Sequence, residues 1–139
     1  MNESAARQAF EQALKTYSPD FETFFLARLL DLRFAYPDQQ CVITFETQDF
    51  MRNPQGSLHG GIIATVMDIA MGHLLKHAQG PGMTLEMKTQ YVKAPKTGTL
   101  RCCAEFIKCG QGISYLRATL TDADDIVVAF ATSTWKRLK

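Results

Sequence analysis

Between Asn53 and Asp68 the chain reads NPQGSLHGGIIATVMD, which brings an amide, an imidazole, two adjacent glycines and a carboxylate into one short stretch. Asn53 and Pro54 suit a loop, Gly56 permits a turn, and Gly60 with Gly61 opens an apolar run that continues through Leu75. The pattern predicts a polar loop feeding directly into a buried helix. The start of such a helix leaves backbone N–H groups without intrahelical acceptors, and the aligned peptide dipoles concentrate partial positive charge there. Glycines at that point let a ligand atom come close to the backbone. The place suits an anion, or a carbonyl oxygen about to become one.

The helix itself predicts where the second chemical group must sit. Ile62, Ile63, Ala64, Val66, Met67, Ile69, Ala70, Met71, Leu74 and Leu75 occupy nearly every angle around its axis, so it is expected to be wrapped by the rest of the chain. Asp68 falls among these apolar neighbours, where an ionised carboxylate is costly unless it has partners or a use. At ~1.5 Å of rise per residue, Asp68 lies roughly 10 Å along the axis from Gly61. A nucleophile must approach to roughly 3 to 3.5 Å of the carbon whose oxygen the N–H holds. One straight helix cannot bring both groups to one carbonyl. Two copies packed with these helices antiparallel about a two-fold axis can, with Asp68 of one facing the Gly60 and Gly61 end of the other. Self-association with a site shared between subunits is the expectation.

Composition bounds the remaining possibilities. The 139 residues suit one domain, 1–139, with one core, and 46% hydrophobic content supports a real interior. A formal net charge of +1 without a basic run gives no indication of nucleic acid as a partner. The opening MNESAARQAF lacks the apolar stretch of a secretory signal, and no later run is long enough for a membrane span, so a cytoplasmic location is expected. Cys41, Cys102, Cys103 and Cys109 show no C-x-x-C spacing and read as free thiols, with Cys102 and Cys103 on opposite faces of a strand.

The elements around the helix follow from periodicity. Residues 4 to 16 carry apolar positions at helical spacing, and Ser18 before Pro19 resembles the cap of a second helix running to about Leu30. Its Phe21, Phe24, Phe25 and Leu29 form an apolar face, read first as packing and second as the lining of a pocket. Residues 32 to 36 and 41 to 47 form a hairpin around Pro37 and Asp38. Extended segments are expected at Met83 to Val92, Thr99 to Lys108, Ile113 to Thr121 and Ile126 to Lys136, separated by short turns. The order predicts an α+β arrangement: an antiparallel meander curled around one long central helix, with short N-terminal helices.

The pattern N-x5-H-G-G-x6-D, carried by Asn53, His59, Gly60, Gly61 and Asp68 and followed by the strand MTLEMKTQYVKAPKTG, resembles the hot-dog fold acyl-CoA thioesterases of the PaaI-like group. The likeness extends over roughly residues 20 to 138. It implies a hot-dog fold, dimers whose sheets join edge to edge, often paired into tetramers, and hydrolysis of a coenzyme A thioester. It further implies Asp68 as general base or nucleophile, a glycine N–H polarising the carbonyl, Asn53 and His59 shaping the site, and Thr84 as the hydroxyl that orients water.

On that reading Gly61 N–H stabilises the oxyanion, with Gly60 beside it, and Asp68 deprotonates water or attacks the thioester to give an anhydride. Asn53 holds Asp68 or the water, while His59 either donates to the carbonyl or locks the loop. Lys93, Lys96 and Lys108 are candidates for the phosphates of coenzyme A, and Gly110 lies on a turn that in related proteins is near the nucleotide. Met67, with Phe24, Phe25, Met71 and Met87, is a candidate lining for a medium or long fatty acyl chain, with an aryl acyl group as the alternative. Coenzyme A is substrate, and no separate cofactor is expected. His73 and His77 have a spacing that can bind metal, but no third ligand is evident in sequence, and no metal site is expected. Dehydration or hydration of an acyl thioester, and non-catalytic acyl-CoA binding, are the rival functions.

Overall fold

The computed structural model describes residues 1–95 and 97–139. Helix α1 spans Glu3–Thr16, capped by the Asn2 side chain accepting from the Ala5 N–H, and α2 is a short helix at Phe25–Leu29. Strands β1 (Arg33–Ala35) and β2 (Gln40–Glu46) form the expected hairpin. Asp38 and Gln39 both take positive φ, 39° and 60°, at its tip, as in the mirror-image turns whose twist matches that of paired strands. A loop then leads to helix α3, Gly60–Gln79, followed by β3 (Gly82–Tyr91), β4 (Thr99–Lys108), β5 (Ile113–Thr121) and β6 (Val127–Arg137).

The six strands make one antiparallel sheet in the order β1-β2-β4-β5-β6-β3, and α3 packs across β2 to β6. Inward residues of the strands, such as Ile43, Phe45, Leu100, Cys102, Leu116, Leu120 and Val128, meet Val66, Met67, Ala70, Met71 and Leu74 of α3 in one core. This is the hot-dog arrangement of a sheet around a central helix. Among the described residues, no helix is long and apolar enough to cross a membrane.

Three expectations are corrected. The second helix does not begin at Pro19. The Ser18 N–H donates to the Thr23 carbonyl, the Thr23 N–H to the Asp20 carbonyl, and the Ser18 hydroxyl to the Asp20 carboxylate, closing a turn in place of the first helical turns. Short polar side chains that bond nearby groups compete with helix in this way. The strands are not a simple meander either: β4, β5 and β6 are, but β3 pairs with β6 and sits at the sheet edge, so β3 and β4, consecutive in the chain, are separated in the sheet by β5 and β6.

Nor is α3 wrapped on all sides. Ile62, Thr65, Asp68, Ile69 and Gly72 stay half-exposed, because the sheet covers one side of the helix and ends at β3. The four cysteines are free, with Cys102 buried and Cys103 half-exposed on the other face.

Candidate active site

Asp68 and Thr84 are brought together. The Thr84 Oγ1–H donates to Asp68 Oδ1 at 2.8 Å, joining the half-exposed stripe of α3 to the edge strand. A register shift between Thr84 and Glu86 in the β3–β6 pairing marks a bulge at Leu85. It leaves Thr84 and Met87 turned inward while Leu85 and Glu86 both face outward. Bulges commonly re-aim side chains in this manner. Among the described residues, the carboxylate therefore has one fixed hydrogen bond and stays half-exposed, and the outer edge of β3 beside it carries no strand.

Behind this pair stands Trp135 of β6, 4% exposed and directly opposite Thr84 in the pairing. Its indole lies against Gly72, one turn beyond Asp68, so closely that a Cβ at Gly72 would sit 2.7 Å from the ring. The indole N–H donates to Ser133 Oγ at 2.6 Å, and the Ser133 hydroxyl to Met71 Sδ at 3.0 Å. Trp135 was not legible as a site residue; the available signal was a glycine inside an otherwise apolar helix, where it costs stability unless a neighbour needs the space.

At the start of α3, His59 is the cap. Its Nδ1 accepts from the Gly61 N–H at 2.8 Å, so a neutral ring carries its proton on Nε2. The structure differs here from the expectation for Gly61: its N–H is already paired, whereas the Gly60 N–H meets no acceptor among the described residues. Asn53 differs too. Its Oδ1 accepts from the Gln55 and Ser57 N–H groups and its amide donates to Ser57 Oγ at 2.9 Å. Within one chain it braces the 53–57 loop rather than reaching Asp68, as asparagine at a turn tends to do.

A shallow, mainly apolar cleft opens beside Gly60, with Leu58, Ile63, Tyr91, Val92 and Pro95 in its walls. Tyr91, the last residue of β3, packs its ring on Gly60 and donates its hydroxyl to the Gly60 carbonyl at 2.9 Å. Nothing in the spacing of the sequence pointed to it.

The expected substrate contacts separate into two groups. Lys93 lies near Gly60 but pairs with Asp122 at 3.0 Å, and that bond holds the Asp122 carboxyl below its usual range. Lys108 is exposed at the end of β4, and Gly110 accepts from the Gln79 side chain at the far end of α3, ~28 Å from Gly60 by helix rise. Lys96 lies outside the described residues. Met67 is fully buried in the core. Phe24 borders a hollow with Pro19, Phe21 and His73, whereas Phe25 packs edge-on against Phe10 and Tyr17. The His73 ring bonds the Phe21 carbonyl and stacks on Phe34 at 4.7 Å, and His77 stacks on Tyr36 at 4.3 Å. The two imidazoles thus serve separate aromatic pairs, and no group of three or more His, Cys, Asp or Glu among the described residues could hold a metal ion.

One antiparallel sheet packed along a long central helix, with a glycine-led helix start and a carboxylate held by a hydroxyl on the next strand, defines a hot-dog protein. The thioesterase superfamily model matches residues 55–129, and the chain belongs to that family. Among solved structures it is similar to a Bacillus halodurans protein determined with CoA, at 22% identity, 99% of this chain and 93% of that one, with a TM-score of 0.88. The E. coli PaaI protein from the phenylacetic acid degradation operon gives 17% identity, 96% coverage of both chains and a TM-score of 0.81. A Streptococcus mutans protein bound to acetyl CoA gives 26% identity over 77% of this chain and 91% of that one, with a TM-score of 0.72. A search of curated proteins finds no match.

Proposed function

We propose that the protein hydrolyses acyl-CoA thioesters to a free acid and coenzyme A. The observation that carries this reading is the Thr84 to Asp68 hydrogen bond beside an open sheet edge, since it presents an oriented carboxylate where a second copy could deliver a thioester. Membership of the thioesterase superfamily and the CoA-bound relatives support the substrate class.

The working unit is a dimer joined through the β3 edges, with α3 helices antiparallel. Each site takes Asp68 and Thr84 from one subunit and the α3 start from the other. The donor at that start is the Gly60 N–H, because His59 occupies the Gly61 N–H. The thioester carbonyl oxygen sits on this N–H, where the helix end and the backbone stabilise the charge that develops on it. Asp68 either takes a proton from water as that water attacks the carbonyl carbon, the proton passing to the departing sulfur, or attacks the carbon itself to give an anhydride. In the second case coenzyme A leaves as thiolate that picks up a proton from solvent, and water then opens the anhydride. Thr84 orients the reacting oxygen. Asn53 and His59 act on the loop that presents Gly60. The apolar cleft of Leu58, Ile63 and Val92 takes the part of the substrate next to the carbonyl, and an acyl group of medium or long aliphatic or aryl type fits its lining.

Thiol release from short, medium, long and aryl acyl-CoAs by wild type and Asp68→Asn tests the reading. Release that collapses in the variant supports it, and the order of rates names the acyl class. An enoyl or hydroxyacyl thioester as product, or binding without release, overturns it in favour of hydration chemistry or a binding module.

A further inference from the structure

We infer that Tyr91 is a positioning residue for the oxyanion donor, acting through the backbone of the Gly60–Gly61 pair; this rests on the site reading given above. The peptide that links the two glycines is held at both ends. The Tyr91 hydroxyl donates to its carbonyl, Gly60 O, at 2.9 Å, and its N–H, on Gly61, donates to His59 Nδ1 at 2.8 Å. The preceding peptide is held as well, since the His59 carbonyl accepts from the Ile62 and Ile63 N–H groups at 3.0 and 3.3 Å. The Gly60 N–H lies in this preceding peptide, and the plane that Tyr91 holds adjoins it at the Gly60 Cα, so fixing both planes leaves the Gly60 backbone torsions little freedom to turn that N–H.

The clamp answers a physical problem that the glycines create. Two glycines in a row are the residues least able to hold a helix start by themselves, because they retain the most backbone freedom. An oxyanion donor is effective only when it is oriented before the charge develops. A Cβ at Gly60 would lie 3.2 to 3.4 Å from Tyr91 Cε1, Cζ and the hydroxyl oxygen, so a larger residue here would push the ring aside by a few tenths of an ångström. The tyrosine packs on glycine at position 60 and supplies the order that glycine lacks. Its place at the end of β3 also couples the helix start, which serves one site of the dimer, to the strand whose Thr84 serves the other.

Tyr91→Phe keeps the ring on Gly60 and removes only the donor, and it is the test variant, with Tyr91→Leu removing both. In Tyr91→Phe, kcat for thiol release should fall at least fivefold with KM within twofold of wild type, and Tyr91→Leu should fall further. Amide hydrogen exchange on protein labelled with 15N-glycine should speed up at Gly61 in Tyr91→Phe and remain unchanged at Gly112. A kcat within twofold of wild type overturns the inference, and so does unchanged exchange at Gly61. If wild type releases no thiol from any acyl-CoA, the assigned reaction fails on that result alone, while the clamp is still decided by the glycine amides.

Discussion

The Thr84 hydroxyl donates to Asp68 Oδ1 at 2.8 Å, and this bond joins the central helix to the edge strand β3. It keeps one carboxylate oxygen occupied and aims the other. Thr84→Val retains the shape of the side chain and deletes the donor. A hydrogen bond to a charged group is worth about 1.5 to 3 kcal/mol, so kcat should fall by at least about tenfold, with Thr84→Ser close to wild type. Steady-state thiol release checks this. Asp68→Asn should lose on the order of 10²-fold or more.

The shared site can be read directly in mixed dimers. Asp68→Asn and a Gly60→Val variant, each inactive alone, are expected to form heterodimers in which one of two sites is intact. With free exchange at equal amounts, activity should return to about a quarter of wild type, because half the dimers then carry one working site. Heterodimers verified by mass that show no recovery would place both groups within one subunit.

Gly72 is held to its size by Trp135. Its Cβ in Gly72→Ala would meet the ring at 2.7 Å, and the ring is buried and fixed by its bond to Ser133. Overpacking of this kind costs about 1 to 3 kcal/mol, which urea denaturation resolves. The double variant Gly72→Ala with Trp135→Leu should lose less than the sum of the two single changes. Full additivity would show that the two residues do not constrain one another.

Burial raises the Cys41 thiol to about 12 and raises Cys102 as well, with Cys103 raised to a smaller depth of burial. At pH 8 a thiol reagent should therefore label exposed Cys109 first, then half-exposed Cys103. Cys41 and Cys102 should react only on unfolding. Labelling of all four at one rate would contradict the packing of β2 on β4.

The Lys93–Asp122 pair makes a prediction with a defined sign. The hydrogen bond from Lys93 lowers the Asp122 pKa, so its contribution to stability is present above the unfolded carboxyl value and is lost as pH falls through the lowered folded value. The melting difference between wild type and Asp122→Asn should therefore shrink with acidification. A difference that grows below pH 4 would reverse the assignment.

Much of this protein is written in local patterns. The hairpin at Pro37 to Gln39, the long helix beginning at Gly60, and the four later strands follow from residue period and turn chemistry, which act over a few residues. The glycine-led start of that helix and the position of Asp68 along it were legible for the same reason. What escaped the linear reading depends on contacts between distant segments. Polar side chains at Ser18, Asp20 and Thr23 overrode the helical spacing of the phenylalanines, and β3 crossed to the far side of β6, where no turn signal could have sent it. The same tertiary pairing set Trp135 against Gly72 and Tyr91 against Gly60, and gave the Gly61 N–H to His59. The order of residues determined which groups exist and which local elements carry them. Only the sheet order decided which of those groups face the open edge, because strand pairing links residues that periodicity cannot relate.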